Sequence, residues 1–398
     1  TKIEANANKY SFVWKKATAK KTDKLLKRIH EELPAKLKEV GIRFHVPEKI
    51  AVRQLKKLRK RIHARIKADG IELVSGKGKR KTRLQRLSEW IDQCLAKLKQ
   101  YTKDIHICGN RNSFSKTDHD ATFMHMKEDY MRNGQLKPGY NVNVATCSDF
   151  IIGSYISSDR NDVHTLIPFM EQLRKNYAGR NIGSVVVDSG YESEENYCWF
   201  EAHPETELYV KPSNHEVAKH RKYRTDISRR ENMAYDAQAD AYTCANGKLL
   251  QRTREKKTHT ASGLEIATSV YECNECDGCP LKEKCIRACG SKKSLEERYK
   301  VIYVSKRFAR QRQAMEAKIS SPKGCLLRVN RSIQAEGNFA YVKQDLDFRR
   351  FLLRGNMKVA AEWLLFSLAL NILHLHHKIQ NRRLGSDLKI PSSFPAGL

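Results

Sequence analysis

Between residues 139 and 188 the hydropathy period of the chain changes twice, and this order constrains the fold more than any other feature. "GYNVNVAT" (139–146) alternates with period two. "FIIGSYISS" (150–158) follows after Cys147-Ser148-Asp149, so the pair reads as a β-hairpin. "DVHTLIPFMEQLRKNY" (162–177) reads as a helix and "GSVVVD" (183–188) as another strand. Hairpin, helix, then apolar strand predicts an α/β protein, a mixed sheet with helices on its faces. Val185 to Val187 run straight into Asp188. Strand carboxyl ends in such sheets open into the crevice where ligands bind, so an acid there suits chemistry. It also suits capping of the turn that follows.

The first third of the chain is different. Residues 1–8 alternate polar and apolar like the end of a strand, and 14–40, 51–68 and 83–105 read as basic helices. Leu55, Leu58, Ile62 and Ile66 recur at helical spacing with Lys and Arg between them, and Leu84, Leu87, Ile91 and Leu98 do the same in the third helix. Residues 51–86 hold 14 Lys or Arg against Asp69 and Glu72, within a chain whose net charge is +30. Such a charge favours a polyanionic partner, because neutralising phosphates releases counterions. Arg59, Lys60, Arg61, Lys79, Arg80 and Lys81, the last three in the loop "GKGKRK" (76–81), are the candidate DNA contacts. The same charges also suit a solvated face. "RNSFSKTDHDATFMHMKED" (111–129) reads as an irregular polar loop.

With 398 residues, 40% of them hydrophobic, there is core for two or three domains. The longest apolar segment, "AAEWLLFSLALNIL" (360–373), is short and holds Glu362 and Asn371, so it predicts a core helix and no membrane span. Without a secretory signal, the expected compartment is cytoplasmic and nucleoid-associated, with reduced thiols. Five of eleven cysteines crowd into 273–289. Cys276, Cys279 and Cys285, with Cys244 of "YTCANGK", have spacing suited to Zn²⁺, and they also suit a loop of free thiols.

In "RSIQAEGNFAYVKQ" (331–344), Ile333, Phe339 and Val342 predict a helix burying one stripe. Glu336 falls on or beside that stripe, and Lys343, seven residues on, projects from the same side. A carboxylate there needs a metal or a partner, Arg331 or Lys343.

"VVVDSGYESEEN", "RSIQAEGNFAYVKQDLDFRRFLLRG" and "TKIEANANKYSFVWKK" together resemble DDE transposases of bacterial insertion sequences. "SKTDHDATFMHMKED" with "KPGYNVNVAT", and "YTCANGKLL" with "CDGCPLKEKC", extend the resemblance from residue 1 to about 380. The resemblance implies a ribonuclease-H-like mixed sheet with flanking helices. A basic helical insertion would follow the first strand, and a Cys-containing insertion would precede the last catalytic helix. The implied segments are 1–13 (first strand), 14–110 (basic helices), 111–199 (core), 200–325 (Cys insertion) and 326–398 (C-terminal helices). The family holds two Mg²⁺ or Mn²⁺ ions on three acids. Asp188 matches the second acid and Glu336 the third, with Lys343 as the basic residue seven places on. The family's opening motif, Asp-Gly-Thr-Lys-Ile-Glu-Ala, puts the first acid ahead of Thr1, which implies an N-terminally truncated fragment. Asp118 or Asp120 is the alternative acid, read more readily as structural. The family's Tyr and Arg before the Glu correspond to Val329 and Ser332, with Arg331 one place off, and Arg331, Arg349 and Arg350 join the DNA contacts. The implied function is metal-dependent strand cleavage and transfer on double-stranded DNA, at terminal repeats and target, by a homodimer. The alternative is a catalytically inactive DNA-binding remnant.

Overall fold

The computed structural model describes residues 1–47, 50–76, 78, 80–126, 134–287, 293–385 and 388. In chain order the strands are β1 (Lys2–Glu4), β2 (Phe12–Trp14), β3 (Ser113–Ser115), β4 (Thr122–His125), β5 (Leu136–Cys147), β6 (Phe150–Ser157), β7 (Ser184–Val187), β8 (Glu207–Val210), β9 (Ala234–Asp236), β10 (Ala241–Thr243), β11 (Leu249–His259), β12 (Glu265–Glu272) and β13 (Val301–Val304). The longer helices are α1 (Lys15–Glu39), α2 (Val52–Ala68), α3 (Arg83–Cys108), α4 (Leu166–Asn176), α5 (Glu194–Glu201), α6 (Lys306–Ser320), α7 (Pro322–Arg331) and α8 (Asn356–Gln380). The chain divides into two compact units: residues 1–142, 156–160 and 347–366, and residues 143–155, 161–346 and 367–398.

In the first unit α1, α2 and α3 share one apolar core. Leu25, Ile29, Leu33 and Leu37 of α1 meet Leu55, Leu58 and Ile62 of α2 and Leu87, Ile91, Leu95 and Leu98 of α3. Each set recurs every three or four residues, so each helix buries one stripe and turns its Lys and Arg outward. Thr82 starts α3 by accepting from the Gln85 amide at 3.2 Å. In the unit's sheet β5 lies between β1 and β4, both antiparallel to it, and β2 pairs with β3. The polar segment at 111–126 is therefore more ordered than its composition predicts. Both faces of β3 and most of β4 are buried, which removes the alternation that marks a strand. Residues 127–133, the end of the predicted loop included, lie outside the described residues.

In the second unit β5 and β6 turn through Ser148 (φ 52°) and Asp149 (φ 71°), a two-residue hairpin loop in left-handed backbone. β7 pairs in parallel with β8. Leu166, Phe169 and Leu173 of α4, Tyr197 and Phe200 of α5, Leu208 and Val210 of β8, and Met315 and Ile319 of α6 form the core beneath, with Val185 and Val187 packed against it. The expected single mixed sheet is thus seen, among the described residues, as an antiparallel sheet carrying the hairpin and a separate parallel pair.

Residues 234–304 form an antiparallel sheet in the order β13-β12-β11-β10-β9, where the sequence predicts only short strand-like pieces. β11 is exposed along nearly all its length on both faces, so it carries no apolar alternation. Its partner β12 holds it through the backbone ladder and through cross-strand pairs, Lys257–Glu265 at 2.9 Å and Arg254–Glu272 at 2.7 Å.

The segment 360–373 lies within α8, which runs 25 residues and is, by length and composition, long and apolar enough to cross a membrane. It is also tied to the protein through polar groups. Glu362 accepts from the amides of Leu352 and Leu353 at 2.8 and 2.9 Å, and Asn371 exchanges two hydrogen bonds with the Ile151 backbone.

Candidate active site

Asp188 leaves β7 as an exposed residue. Its Oδ1 accepts from the Gly190 amide at 2.9 Å, capping the 3-10 turn Ser189–Tyr191. The capping reading and the functional reading of this acid thus coexist, because the cap uses one oxygen and leaves the carboxylate at the surface. The valines before it are half-buried rather than fully enclosed.

Asp188 has a neighbour that spacing does not single out. A Cβ on Gly190 would stand 3.0 Å from Asp188 Oδ1 and 3.1 Å from Asp162 Oδ2. The missing side chain lets two carboxylates flank one α-carbon. Tyr191 lies directly behind them. Its hydroxyl donates to Asn143 Oδ1 at 2.5 Å, and the Thr165 hydroxyl donates to the same oxygen at 3.1 Å. Burial raises the Tyr191 phenol far above its ordinary range, the charges of Asp162 and Asp188 raise it further, and Arg331 opposes them. Arg331, at the end of α7, thus acts on the same Tyr191 phenol as the two acids.

Arg331 also carries Glu336, in an ion pair at 2.7 Å. Glu336 is not on a buried stripe: its side chain is 63% exposed. The buried residues of this segment are Asn330, Gln334, Asn338, Val342 and Lys343; of the expected stripe Val342 is buried, Phe339 is half-buried and Ile333 is exposed. The polar members are satisfied. Asn330 donates to the Leu326 carbonyl, Asn338 donates to the Gln334 carbonyl, and His374 bonds to Asn338 Oδ1 at 2.8 Å. Lys343 is buried where Glu336 is exposed, so the two do not share a face as predicted. The physical reason is the backbone. Ser332–Glu336 and Tyr341–Asp345 are π-helical, and the wider turn breaks the 3.6-residue arithmetic.

Asp118 and Asp120 lie in the first unit and serve its backbone. Asp118 accepts from the Tyr140 hydroxyl at 2.7 Å and the Gly355 amide at 3.4 Å, and Asp120 accepts from the Asn356 amide at 2.9 Å. They hold the start of α8. Among the described residues no group of three or more His, Cys, Asp or Glu is placed to hold a metal ion. The donors at Asp188 and Asp162 are hard carboxylate oxygens, the kind Mg²⁺ takes, and Glu336 is engaged by Arg331.

Residues 243–376 match the family model described as the transposase DDE domain. The matched stretch takes in Glu336, Arg331 and Lys343, while Asp188 and the three basic helices lie outside it. No curated protein and no solved structure matches the chain.

The basic candidates fall into two groups. On α2, Lys60 and Arg61 are exposed, while Arg59 pairs with Asp92 at 3.2 Å. Arg80 is exposed and Lys81 pairs with Glu89 at 2.8 Å; Lys79 lies outside the described residues. Arg349 pairs with Asp347 at 2.7 Å, and Arg350 donates to the Ala7 carbonyl at 3.5 Å. Lys60, Arg61 and Arg80 are thus the candidates turned to solvent and, among the described residues, outside any ion pair.

The acids after Asp188 point inward. Glu192 takes Arg312 of α6 and the Ser213 amide, and Glu194 takes Arg307 at 2.7 Å. They brace the turn that carries Asp188 against α6, a role that spacing does not reveal because the arginines lie more than a hundred residues away.

The cysteines gather at one end of the β9–β13 sheet. Burial, and then Cys276 and Cys244, push the Cys273 thiol up to about 11. Burial raises the Cys285 thiol, Lys300 opposes it, and Cys244, Cys276 and Cys279 add to it.

Proposed function

We propose that the chain cuts and rejoins DNA strands at the ends of a mobile element through a ribonuclease-H-like core. Asp188 and Glu336 are its essential acids. The observation that supports this reading is the pair of carboxylates, Asp188 and Asp162, flanking Gly190 at the end of β7, with Arg331, the ion-pair partner of Glu336, acting on the same Tyr191 phenol as both acids. Glu336 lies in the stretch that matches the DDE domain. A divalent cation, Mg²⁺ or Mn²⁺, supplies Lewis acidity for an in-line displacement at phosphorus when bound. The residues that would hold it are Asp188, Asp162 and, once released from Arg331, Glu336. Arg331 then faces the phosphate, where a planar guanidinium binds two oxygens at once. Lys343 remains a buried charge behind the helix. Lys60, Arg61 and Arg80 hold the DNA backbone, and two copies pair the two ends. The experiment is cleavage of a plasmid carrying both element ends, with and without Mg²⁺. Asp188→Asn and Glu336→Gln should each lose cleavage while keeping DNA binding. Undiminished cleavage by Glu336→Gln overturns the assignment.

A second reading, DNA binding without strand cleavage, is favoured by one observation: Glu336 is neutralised by Arg331 and, among the described residues, no three acids stand together. It predicts salt-dependent binding with no Mg²⁺-dependent product from the unmutated chain.

A further inference from the structure

The register of the β9–β13 sheet brings two chain connections to one end. Thr243 pairs with Leu249, so the loop Cys244-Ala245-Asn246-Gly247-Lys248 turns there. Glu272 pairs with both Gln251 and Val301, so the departure toward Cys273 and the return at Lys300 meet at the same end. Each connection contains a tight turn. The Cys244 amide donates to the Lys248 carbonyl at 2.9 Å, with Gly247 at φ 72°, and the Cys279 amide donates to the Cys276 carbonyl at 3.4 Å, with Gly278 at φ 64° between them.

The sulfurs are met by nitrogen donors. The Lys300 amide donates to Cys276 Sγ at 3.4 Å, and Asn246 Nδ2, from the first turn, donates to Cys279 Sγ at 3.5 Å. Lys300 Nζ reaches the Cys285 carbonyl at 3.0 Å. These contacts tie Cys244's turn to Cys279, and Cys276 to Cys285. Amides directed at sulfur are the outer contacts that support thiolates on a metal. Cys285 has Cys244, Cys276 and Cys279 within electrostatic reach, and Cys273 lies deepest in the sheet's apolar core.

We propose that Cys244, Cys276, Cys279 and Cys285 are the four ligands of a structural Zn²⁺ site that locks the β10–β11 turn to the 273–285 loop. As placed, the described residues hold no group of three or more ligands able to take a metal ion, so binding requires these side chains to rotate. A step of ~120° between staggered χ1 wells moves a cysteine sulfur by roughly 3 Å. On binding, four S–H bonds give up protons to solvent and four Zn–S bonds form, with no change of oxidation state. The resulting double negative charge faces the Lys300 ammonium. The β9–β13 core is small, built on Met233, Leu250, Tyr271, Cys273, Ile302 and Val304, and a tetrahedral tie is the device small modules use to hold such a core.

The test uses the full chain, purified under reducing conditions and stripped of metal, then titrated with Co²⁺ and with Zn²⁺. Expected are about one ion per chain, the visible bands of tetrahedral Co²⁺ with strong thiolate-to-cobalt charge transfer, and displacement of Co²⁺ by Zn²⁺. Cys244→Ser and Cys285→Ser should each lose the charge-transfer intensity of one sulfur or the site altogether, while Cys273→Ala keeps the full spectrum. Absence of tetrahedral bands in the unmutated chain overturns the proposal. So does a Cys244→Ser or Cys285→Ser spectrum identical to the unmutated one.

Discussion

Arg312 grips Glu192 with two parallel hydrogen bonds, Nε to Oε1 at 2.7 Å and Nη2 to Oε2 at 2.8 Å. Glu192 is nearly sealed from water, its side chain 2% exposed, and it also accepts from the Ser213 amide and the Tyr197 hydroxyl. Removing one partner of such a pair strands a buried charge. Arg312→Ala should cost about 3–5 kcal/mol, read as a drop in the urea midpoint. Arg312→Lys should recover only part of it, because a point charge cannot reproduce the fork. A midpoint unchanged by Arg312→Ala would show that the pair does not brace this turn.

Gly190→Ala tests the closeness of Asp188 and Asp162 directly. The new methyl would press on both carboxylate oxygens at about 3 Å, and displacing them by a fraction of that should lower Mg²⁺-dependent cleavage on the order of 10- to 100-fold. The melting temperature should move little, since Gly190 is exposed. Full cleavage by this variant would mean that the two acids do not act together.

Asp240 makes part of the acid stability of the β9–β13 sheet. Lys306 Nζ donates to both its oxygens at 2.8 Å, and the hydroxyls of Tyr271 and Tyr235 donate at 2.7 and 2.8 Å. Lys306 first, and then the tyrosines, hold its carboxyl far below the usual range. A depressed folded value means the contribution is complete above the unfolded value, about 4, and is lost as pH falls below it. Melting temperatures measured between pH 7 and pH 2 should therefore fall less steeply at the acid end for Asp240→Asn, which starts lower. Parallel curves would refute this.

Lys60 and Arg61 give the DNA-binding prediction. Replacing both with Gln should weaken binding to any duplex and reduce the slope of log Kobs against log[salt] by roughly 1 per lost phosphate contact. An unchanged slope would place the DNA elsewhere.

Legibility follows the physics of burial. The helices α1 to α3 are readable because their buried stripes are almost wholly apolar, Leu55, Leu58, Ile62 and Ile66 being the plainest. The β11–β12 pair is not, because water on both faces of β11 leaves no periodic signal. The stripe on residues 330–342 misleads because its buried side chains include Asn330, Gln334 and Asn338, polar groups that offset the cost of burial with hydrogen bonds unseen in a linear chain.

The linear order of residues dictates the alternation of strand and helix, the basic helical segment, the position of Asp188 at a strand end, the candidate Glu336 and the cysteine spacing, because these are local patterns of period and charge. Packing in three dimensions is what sets Asp162 beside Asp188 across Gly190, gives Glu336 to Arg331, and turns Glu192 inward to Arg312. Contacts between groups far apart in the chain depend on how cores pack and where helical phase shifts, and two π-helical turns are enough to separate Glu336 from Lys343.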